Sequence, residues 1–253
     1  MKHLFIPDVQ AKAGVSFKHL AWIGQYIVDK KPNVIINIGD FADMPSLSSY
    51  DKGKKSFEGR RYQKDIEYTR KAMDILLGPM REYNKAAKKS KTLDVYKPRM
   101  VLTLGNHEAR IQRAIEDNPE LDGAIGYKDL PYEDWEVHDF LKPVFINGVC
   151  YCHFMANPMT GRPYGGQTSL ILKNVGHSFV VGHSQKLDIA TRHLTSGQQQ
   201  WGIIAGACYL HKEDYKGYQG NHHWRGVIML HRVKKGSFDP CIVSLEYLKD
   251  KYN

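Results

Sequence analysis

One run constrains this chain more than any other: Val101-Leu102-Thr103-Leu104-Gly105-Asn106-His107-Glu108. Its first half is apolar and β-prone, and it breaks at Gly105 into Asn, His and Glu. A helical pattern follows, with Ile111, Ala114 and Ile115 on one face and Arg110 and Arg113 on the other, until Asn118-Pro119 stops it. The run therefore reads as strand, tight turn, helix. Two earlier segments repeat the design. Leu4-Phe5-Ile6 ends at Pro7-Asp8-Val9-Gln10, and Val34-Ile35-Ile36-Asn37-Ile38 ends at Gly39-Asp40-Phe41-Ala42-Asp43. Between them Ser16 is positioned to cap a helix whose stripe is Phe17, Leu20, Ala21, Ile23, Ile27 and Val28. Three strands ending in Asp, Asp and Asn-His predict a βαβ-type half with its polar groups along one edge. Ligands of open α/β sheets bind at that edge, and a helix start there offers free N–H groups to an anion.

The second half is richer in strands. Short β-prone runs are expected over 136–138, 143–146 and 149–153, with Asn147-Gly148 as a hairpin turn. A Gly/Pro loop carrying Arg162 follows, then a short helix over 168–175. The strand Phe179-Val180-Val181 ends at Gly182-His183-Ser184-Gln185. Further strands are expected over 187–194, 201–210 and 226–233, with 242–245 closing a sheet. No linker, internal repeat or low-complexity tract is visible. The expectation is one α/β domain spanning 1–253.

Charge is unevenly placed. The net charge is +9, and positions 51–99 alone hold 15 Lys and Arg against 7 Asp and Glu. Tyr62, Ile66, Thr69, Met73, Leu76, Met80 and Tyr83 recur there at helical spacing, with Gly78-Pro79 as a kink. This basic helical segment reads equally as a solvated helix covering the sheet or as a face for nucleic acid. The four cysteines form neither a disulfide framework nor a zinc pattern. Cys150 and Cys152 face away from His153 on a strand, as buried reduced thiols of a cytoplasmic chain would. Met1-Lys2 runs directly into a strand with no signal-peptide pattern, and no apolar run approaches the roughly 20 residues of a membrane span.

Gly105-Asn106-His107-Glu108 resembles the central motif of the calcineurin-like metallophosphoesterases, and partner motifs follow in the family's order from Asp8 to Gln185. The resemblance implies a four-layer α-β-β-α sandwich, two mixed sheets flanked by helices. It also implies a two-metal site. The residue matching Asp40 bridges the ions, that matching Asp8 serves the first, and those matching Asn106, His153 and His183 serve the second. The residue matching His107 stands beside the phosphate as general acid or transition-state stabiliser. Asp43 is read as a local hydrogen-bonding group rather than a ligand, and Glu108 as a charge supporting the site from behind. His138 and His177 occupy contexts comparable to that of His153. The chemistry suits the residue types: two carboxylates, an amide oxygen and two imidazoles can hold two divalent ions that clamp a phosphoryl group and activate water.

Two departures fall on the same metal. The family's Asp-x-His is Asp8-Val9-Gln10 here, and its Gly-His-x-His is Gly182-His183-Ser184-Gln185. Gln10 and Gln185 offer neutral carbonyl oxygens. The expected first site is therefore oxygen-rich, favouring Mn²⁺, with Mg²⁺ as an alternative and Zn²⁺ or Fe less suited. A weak or empty first site is the competing expectation, and His222 or His223 is an available substitute ligand.

Met44 follows Asp43 where protein phosphatases of the family carry Arg. The Asp-Val-Gln start and the Asp43-Met44-Pro45-Ser46-Leu47-Ser48 continuation resemble phage-encoded members, and the metal motifs are shared with the double-strand-break repair nucleases. The leading expectation is a metal-dependent phosphodiesterase or nuclease acting on DNA or RNA, without a membrane partner, in the cytoplasm (a host's, for a viral protein). Arg110, Arg113 and Arg162 are candidate phosphate contacts, although the helix pattern alone makes Arg110 and Arg113 exposed surface residues. Trp201 and His222-His223-Trp224 are candidates for base stacking, or else core. The alternatives are a small-molecule phosphatase or nucleotide phosphodiesterase, and a catalytically weak binding scaffold.

Overall fold

Alternation along the strands sorts their side chains between two different cores. The computed structural model describes residues 1–213 and 216–253. Among these, β1 (His3–Ile6), α1 (Lys18–Lys30), β2 (Val34–Asn37), α2 (Tyr62–Ala87), β3 (Arg99–Thr103), α3 (Arg110–Asp117) and β4 (Glu136–His138) form the first half. β5 (Val144–Ile146), β6 (Val149–Tyr151), α4 (Thr168–Val175), β7 (Phe179–Val181), β8 (Leu187–His193) and β9 (Gln199–Ala205) follow. The described chain closes with α5 (Gly217–Gly220), β10 (Gly226–Lys234), β11 (Ser237–Ser244) and α6 (Leu245–Tyr252). The strands make a six-stranded sheet in the order β11-β10-β1-β2-β3-β4 and a five-stranded sheet in the order β5-β6-β7-β9-β8. Both are mixed. β1 to β4 run parallel while β10 and β11 are antiparallel, and β6, β7 and β9 run parallel between antiparallel edges.

Phe5, Ile36, Val101 and Ile228 of the first sheet meet Val149, Tyr151, Val180 and Ile203 of the second in a dry core between the sheets. Their neighbours Leu4, Ile6, Ile35 and Leu102 point the other way, onto Leu20 and Ile23 of α1, Leu76 of α2 and Leu248 of α6. On the opposite side Cys150, Phe179, Val181 and Ile204 pack against Ile171 and Leu172 of α4. The order of layers is thus helix, sheet, sheet, helix, as the resemblance implies. Fully burying each such side chain contributes about 1.5–3 kcal/mol, so the two sheet faces alone hold much of the driving force.

Several boundaries differ from those expected. Ser16 does not cap α1. Phe17 occupies the N-cap without a side-chain cap, and the Ser16 hydroxyl only approaches Lys18 N at 3.5 Å. The last strand starts at Ser237, earlier than the 242–245 run suggests, and Leu245 opens α6, capped by the Ser244 hydroxyl. The strands β10 and β11 return to the first sheet beside β1, so the β-rich second half is shared between both sheets. Pro79 lies within a continuous α2, where its ring sits against Gly24 of α1: a Cβ at Gly24 would stand 2.8 Å from Pro79 Cγ. Cys150, Cys152 and Cys208 are buried free thiols and Cys241 is an exposed one. Trp201 packs on Phe238 at 5.4 Å beside the inter-sheet core, so it is core rather than a stacking platform. Among the described residues no helix is long and apolar enough to cross a membrane.

The 26 residues of α2 span about 39 Å at 1.5 Å per residue. Its first turn adjoins the loop after β2, where Asp65 accepts from Ser46 N at 2.9 Å. Its last turn reaches the amino ends of β2 and β3, where Tyr83 meets Lys31, and Asn84 holds Tyr96 at 2.8 Å. The basic segment is therefore split. Lys85, Lys88, Lys89 and Lys91 lie toward the edge of the sheet opposite to the strand ends that carry Asp8, Asp40 and Asn106.

A buried histidine ties the sheets together. His3 Nδ1 lies 2.7 Å from Tyr151 Oη, and Nε2 lies 3.1 Å from Asn147 Oδ1. A neutral ring satisfies both, accepting from the tyrosine and donating to the amide. Burial lowers the His3 pKa to about 4, against a partial offset from Asn147. The unfolded chain takes up this proton near pH 6.5 and the folded one only near 4. His3 therefore contributes stability that is complete above about pH 6.5 and is lost as pH falls toward 4. Between pH 7 and pH 5 the loss from this residue is about 2 kcal/mol. Urea denaturation should show that His3→Gln loses about 2 kcal/mol less over this interval than the native chain.

Candidate metal centre

Three parallel strands bring their carboxyl ends to one edge, with Ile6 level with Asn37 and Asn37 level with Leu102. Loops leaving that edge carry Asp8, Asp40 and Asn106, and β6 and β7 of the facing sheet deliver His153 and His183. The loops approach closely because glycines stand between them. A Cβ at Gly105 would lie 2.2 Å from Asp40 Oδ1, and one at Gly39 would lie 2.3 Å from Gly105 N. The backbone is also strained here. Of the ten non-glycine residues with positive φ among those described, Gln10, Asp40, Met44, His183 and Gln185 belong to these loops. Each left-handed residue costs about 1–2 kcal/mol, and such strain concentrates at functional sites.

Glu108 holds the loops in place. It is fully buried, and its Oε2 accepts from Asp40 N at 2.8 Å and Gly105 N at 2.9 Å. Its Oε1 accepts from Ala42 N and Tyr132 Oη, both at 2.9 Å. Each carboxylate oxygen thus serves two donors, and the carboxylate fastens the β2 loop to the β3 loop.

Asp40, His153 and His183 form a buried group able to hold a metal, their donor atoms all within 4.8 Å of one another. Asn106 Oδ1 joins them, 2.8 Å from His153 Nε2 and 2.8 Å from His183 Nδ1. Asp40 Oδ2 stands 3.3 Å from the same His153 nitrogen. His153 Nδ1 lies 2.8 Å from Ile38 O and donates to it, which directs the other nitrogen inward; metal-binding histidines are commonly oriented this way. His138 bonds Glu136 and His177 packs on Phe145, so neither competes with His153 for the site. The electrostatics match a cation position. Burial opposes charge on His153, but Asp40, by charge and hydrogen bond, together with Asp8 and the Ile38 carbonyl takes the ring up to about 9. Burial, and then the charge of His153, lowers His183 to about 4.

The first position is built differently. Burial, and then the charge of Asp40, pushes the Asp8 carboxyl up to about 6. Asp8 Oδ1 accepts from His183 N at 3.1 Å, while Oδ2 is buried without a hydrogen-bond partner. Both polar atoms of the Gln10 side chain are buried and without a hydrogen-bond partner as well. A carboxylate oxygen buried without a donor, as Asp8 Oδ2 is, is what a cation would satisfy, so the donor chemistry fits a divalent ion at Asp8 as well as at the group of Asp40, His153 and His183. Gln185 is already engaged: its Oε1 accepts from Tyr209 Oη at 2.7 Å and from the Lys216 ammonium. The ring of His222 meets Tyr218 and that of His223 meets Tyr209, and neither joins the donor group.

His107 stands at the rim. Its Nδ1 lies 2.6 Å from Asp43 Oδ1, and its Nε2 lies 3.7 Å from Asp40 Oδ2. Burial opposes its protonation, but Asp40 and the bond to Asp43 raise its pKa. Asp43 is fastened by Lys12 at 2.9 Å, and Lys12 by Glu213 at 2.6 Å. Asp43 thus acts as the hydrogen-bonding group expected of it. Arg110 departs from the exposed helix residue its pattern suggests. Its Nη1 donates to Asp43 O at 2.7 Å, and its Nη2 comes within 3.3 Å of His107 Nε2. Arg113 is fixed to Asn106 O at 2.7 Å. Arg162 is exposed on the loop after β6, with its backbone carbonyl bonded to Asn157 N, and its neighbour Pro163 lines the same cleft as Asn106 and His183. Lys12, Glu213, Tyr209 and Lys216 carry no motif, and their part in the site is a product of long-range folding.

A cleft of about 640 Å³ opens from Asn106 and His183. Tyr50, Phe140 and Phe154 wall it, and Arg110 and Arg113 line it. Phe154 lies 4.8 Å from the His183 ring, so the aromatic wall begins at the metal donors.

No protein-family model matches the sequence, and no curated protein matches it. Solved structures are similar in fold. YfcE, a phosphoesterase from E. coli, is 12% identical with a TM-score of 0.42, covering 96% of this chain and 100% of its own. TT1561 of Thermus thermophilus is 10% identical with a TM-score of 0.35, covering 81% and 89%. Haemophilus influenzae NAD nucleotidase (NadN) is 10% identical with a TM-score of 0.37, covering 96% of this chain and 50% of its own. Similarity at this level carries no residue roles across.

Proposed function

We propose that this chain is a calcineurin-like metallophosphoesterase that hydrolyses phosphodiesters, with nucleic acid as the substrate class. The observation that carries the reading is the convergence of Asp40, Asn106, His153 and His183 on one buried point, with His107 at its rim. Asp40, Asn106, His153 and His183 would hold one divalent ion, and Asp8, Gln10, Asp40 and Gln185 a second, Mn²⁺ being favoured by the oxygen donors. Bound ions supply Lewis acidity to the phosphoryl group and to the attacking water.

The chain's own groups do the rest. Asp43 orients His107 so that Nε2 is turned toward Asp40 and Arg110, where a protonated ring can donate to the leaving oxygen of a phosphoester held there. Arg110 is pre-set by Asp43 and presents its guanidinium beside that nitrogen, where a phosphoryl oxygen would meet both. The aromatic wall of Tyr50, Phe140 and Phe154 offers a face for a base attached to the phosphate. Three buried thiols without disulfide partners support a reducing compartment, the cytoplasm.

A second reading is a nucleotide or other small phosphoester as substrate. The walled cleft of about 640 Å³ favours it, as does the lysine cluster 85–91 lying away from the site. Salt distinguishes the two. For an oligonucleotide, kcat/KM is expected to fall at least tenfold between 50 and 200 mM salt, because several phosphate contacts release counterions. Turnover of a chromogenic diester should change less than twofold over the same range. Equal, shallow salt dependence for both would favour the small substrate.

A further inference from the structure

Two described residues of the loop between β9 and β10, Cys208 and Lys216, come back to the first metal position. Cys208 N donates to Asp8 O at 2.7 Å, so the loop is fastened to the strand end that carries Asp8. From this loop Lys216 reaches back. Its ammonium donates to Gln185 Oε1, and it stands 3.3 Å from Tyr209 Oη. Lys216 is half-buried, and Asp8 is the acid that acts on it most strongly. Glu213, the other acid in reach, is shared with Lys12 at 2.6 Å and His211 at 2.7 Å. One cationic side chain therefore sits on Gln185, a donor of the first position, within the electrostatic reach of Asp8.

The two glutamines explain why a lysine can do this. An imidazole at position 10 or 185 would present a nitrogen lone pair that binds a divalent ion strongly. An amide oxygen is a weaker ligand for a transition metal and a good acceptor from an ammonium. With both histidines absent, the balance between a divalent ion and a tethered ammonium shifts toward the ammonium. The two cannot occupy one acidic pocket together without strong repulsion.

We infer that Lys216 is a tethered cation competing with the first metal ion for Asp8 and Gln185. The inference rests on the proposed metallophosphoesterase reading. It makes the two metal positions unequal. The position of Asp40, Asn106, His153 and His183 fills first, and an ion enters the Asp8 position only by displacing Lys216. Until then the ammonium supplies positive charge there.

The test is equilibrium dialysis of the metal-stripped full chain against Mn²⁺, with electron paramagnetic resonance on the same samples. The native chain is expected to bind one Mn²⁺ tightly and a second at least tenfold more weakly, with single-ion spectra at low Mn²⁺. Lys216→Met and Lys216→Gln should tighten the second ion at least tenfold and give spin-coupled pairs at that Mn²⁺ concentration. Lys216→Arg keeps the charge and should behave as the native chain does. Two equally tight ions in the native chain, or an unchanged second ion in both neutral variants, would overturn the role of Lys216 and leave the proposed function standing. Absence of tight Mn²⁺ from every variant would overturn both.

Discussion

His107→Ala is expected to lower kcat for an unactivated phosphodiester at least about 100-fold, the lower end of what a positioned acid contributes, while leaving Mn²⁺ binding unchanged. His107 reaches the site through Asp43, 2.6 Å from its Nδ1, and not through the group of Asp40, His153 and His183 that would hold the ion. Removing the ring takes away a proton donor and leaves the tighter set of metal donors intact. The size of the loss should depend on the leaving group. A nitrophenolate leaves without help, so a nitrophenyl ester should lose distinctly less than an alkyl or nucleoside ester. Steady-state rates on the two esters, with metal content measured in parallel, check both statements. Loss of the ion in His107→Ala, or an equal loss on both esters, would place His107 in metal binding or in substrate positioning.

Glu108→Ala should be the most damaging single change to stability in this region. It leaves the backbone N–H groups of Asp40, Ala42 and Gly105 and the Tyr132 hydroxyl buried without an acceptor. An unsatisfied buried donor costs about 1–3 kcal/mol, and local rearrangement recovers part of the sum, so a loss of about 4 kcal/mol is expected. For a domain of this size that corresponds to a fall in melting temperature of roughly 10 °C. Glu108→Gln should be nearly as harmful, because its NH₂ would face N–H donors. Thermal and urea unfolding of the two variants provide the check. A loss below about 1 kcal/mol in Glu108→Ala would mean that the loops hold their arrangement without this carboxylate.

The strand ends are legible in the sequence because their signal is local. Asp8, Asp40 and Asn106 each follow an apolar run directly, and parallel pairing then brings them together whatever the rest of the chain does. His153 and His183 are readable for the same reason, and the opposite facing of Cys150 and Cys152 follows from the two-residue period of a strand. The return of β10 and β11 to the first sheet is not legible, since nothing local tells an antiparallel strand which sheet it joins. The helix α6 escapes the pattern because Leu245 ends one apolar run and begins another. Arg110 is misread as exposed because helical spacing assigns a face but not what the neighbouring loop places opposite; Asp43 comes from another strand end. Lys12, Glu213 and Lys216 are invisible for a related reason. Lysines and glutamates are ordinary surface residues until a loop of distant origin folds over a site. Glu108 reads as a supporting charge, yet its four donors can be counted only in the folded chain.

Whether this edge is a metal-dependent phosphodiesterase site is decided most directly by one assay. Metal-stripped protein is given bis(4-nitrophenyl) phosphate with no added metal and then with Mn²⁺, beside Asp40→Asn under the same conditions. No turnover is expected without metal, turnover should saturate with Mn²⁺, and Asp40→Asn should show none, because Asp40 is the carboxylate proposed to serve both ions. Turnover that persists in the stripped protein, or no turnover with Mn²⁺, Mg²⁺ or Zn²⁺, would contradict this reading.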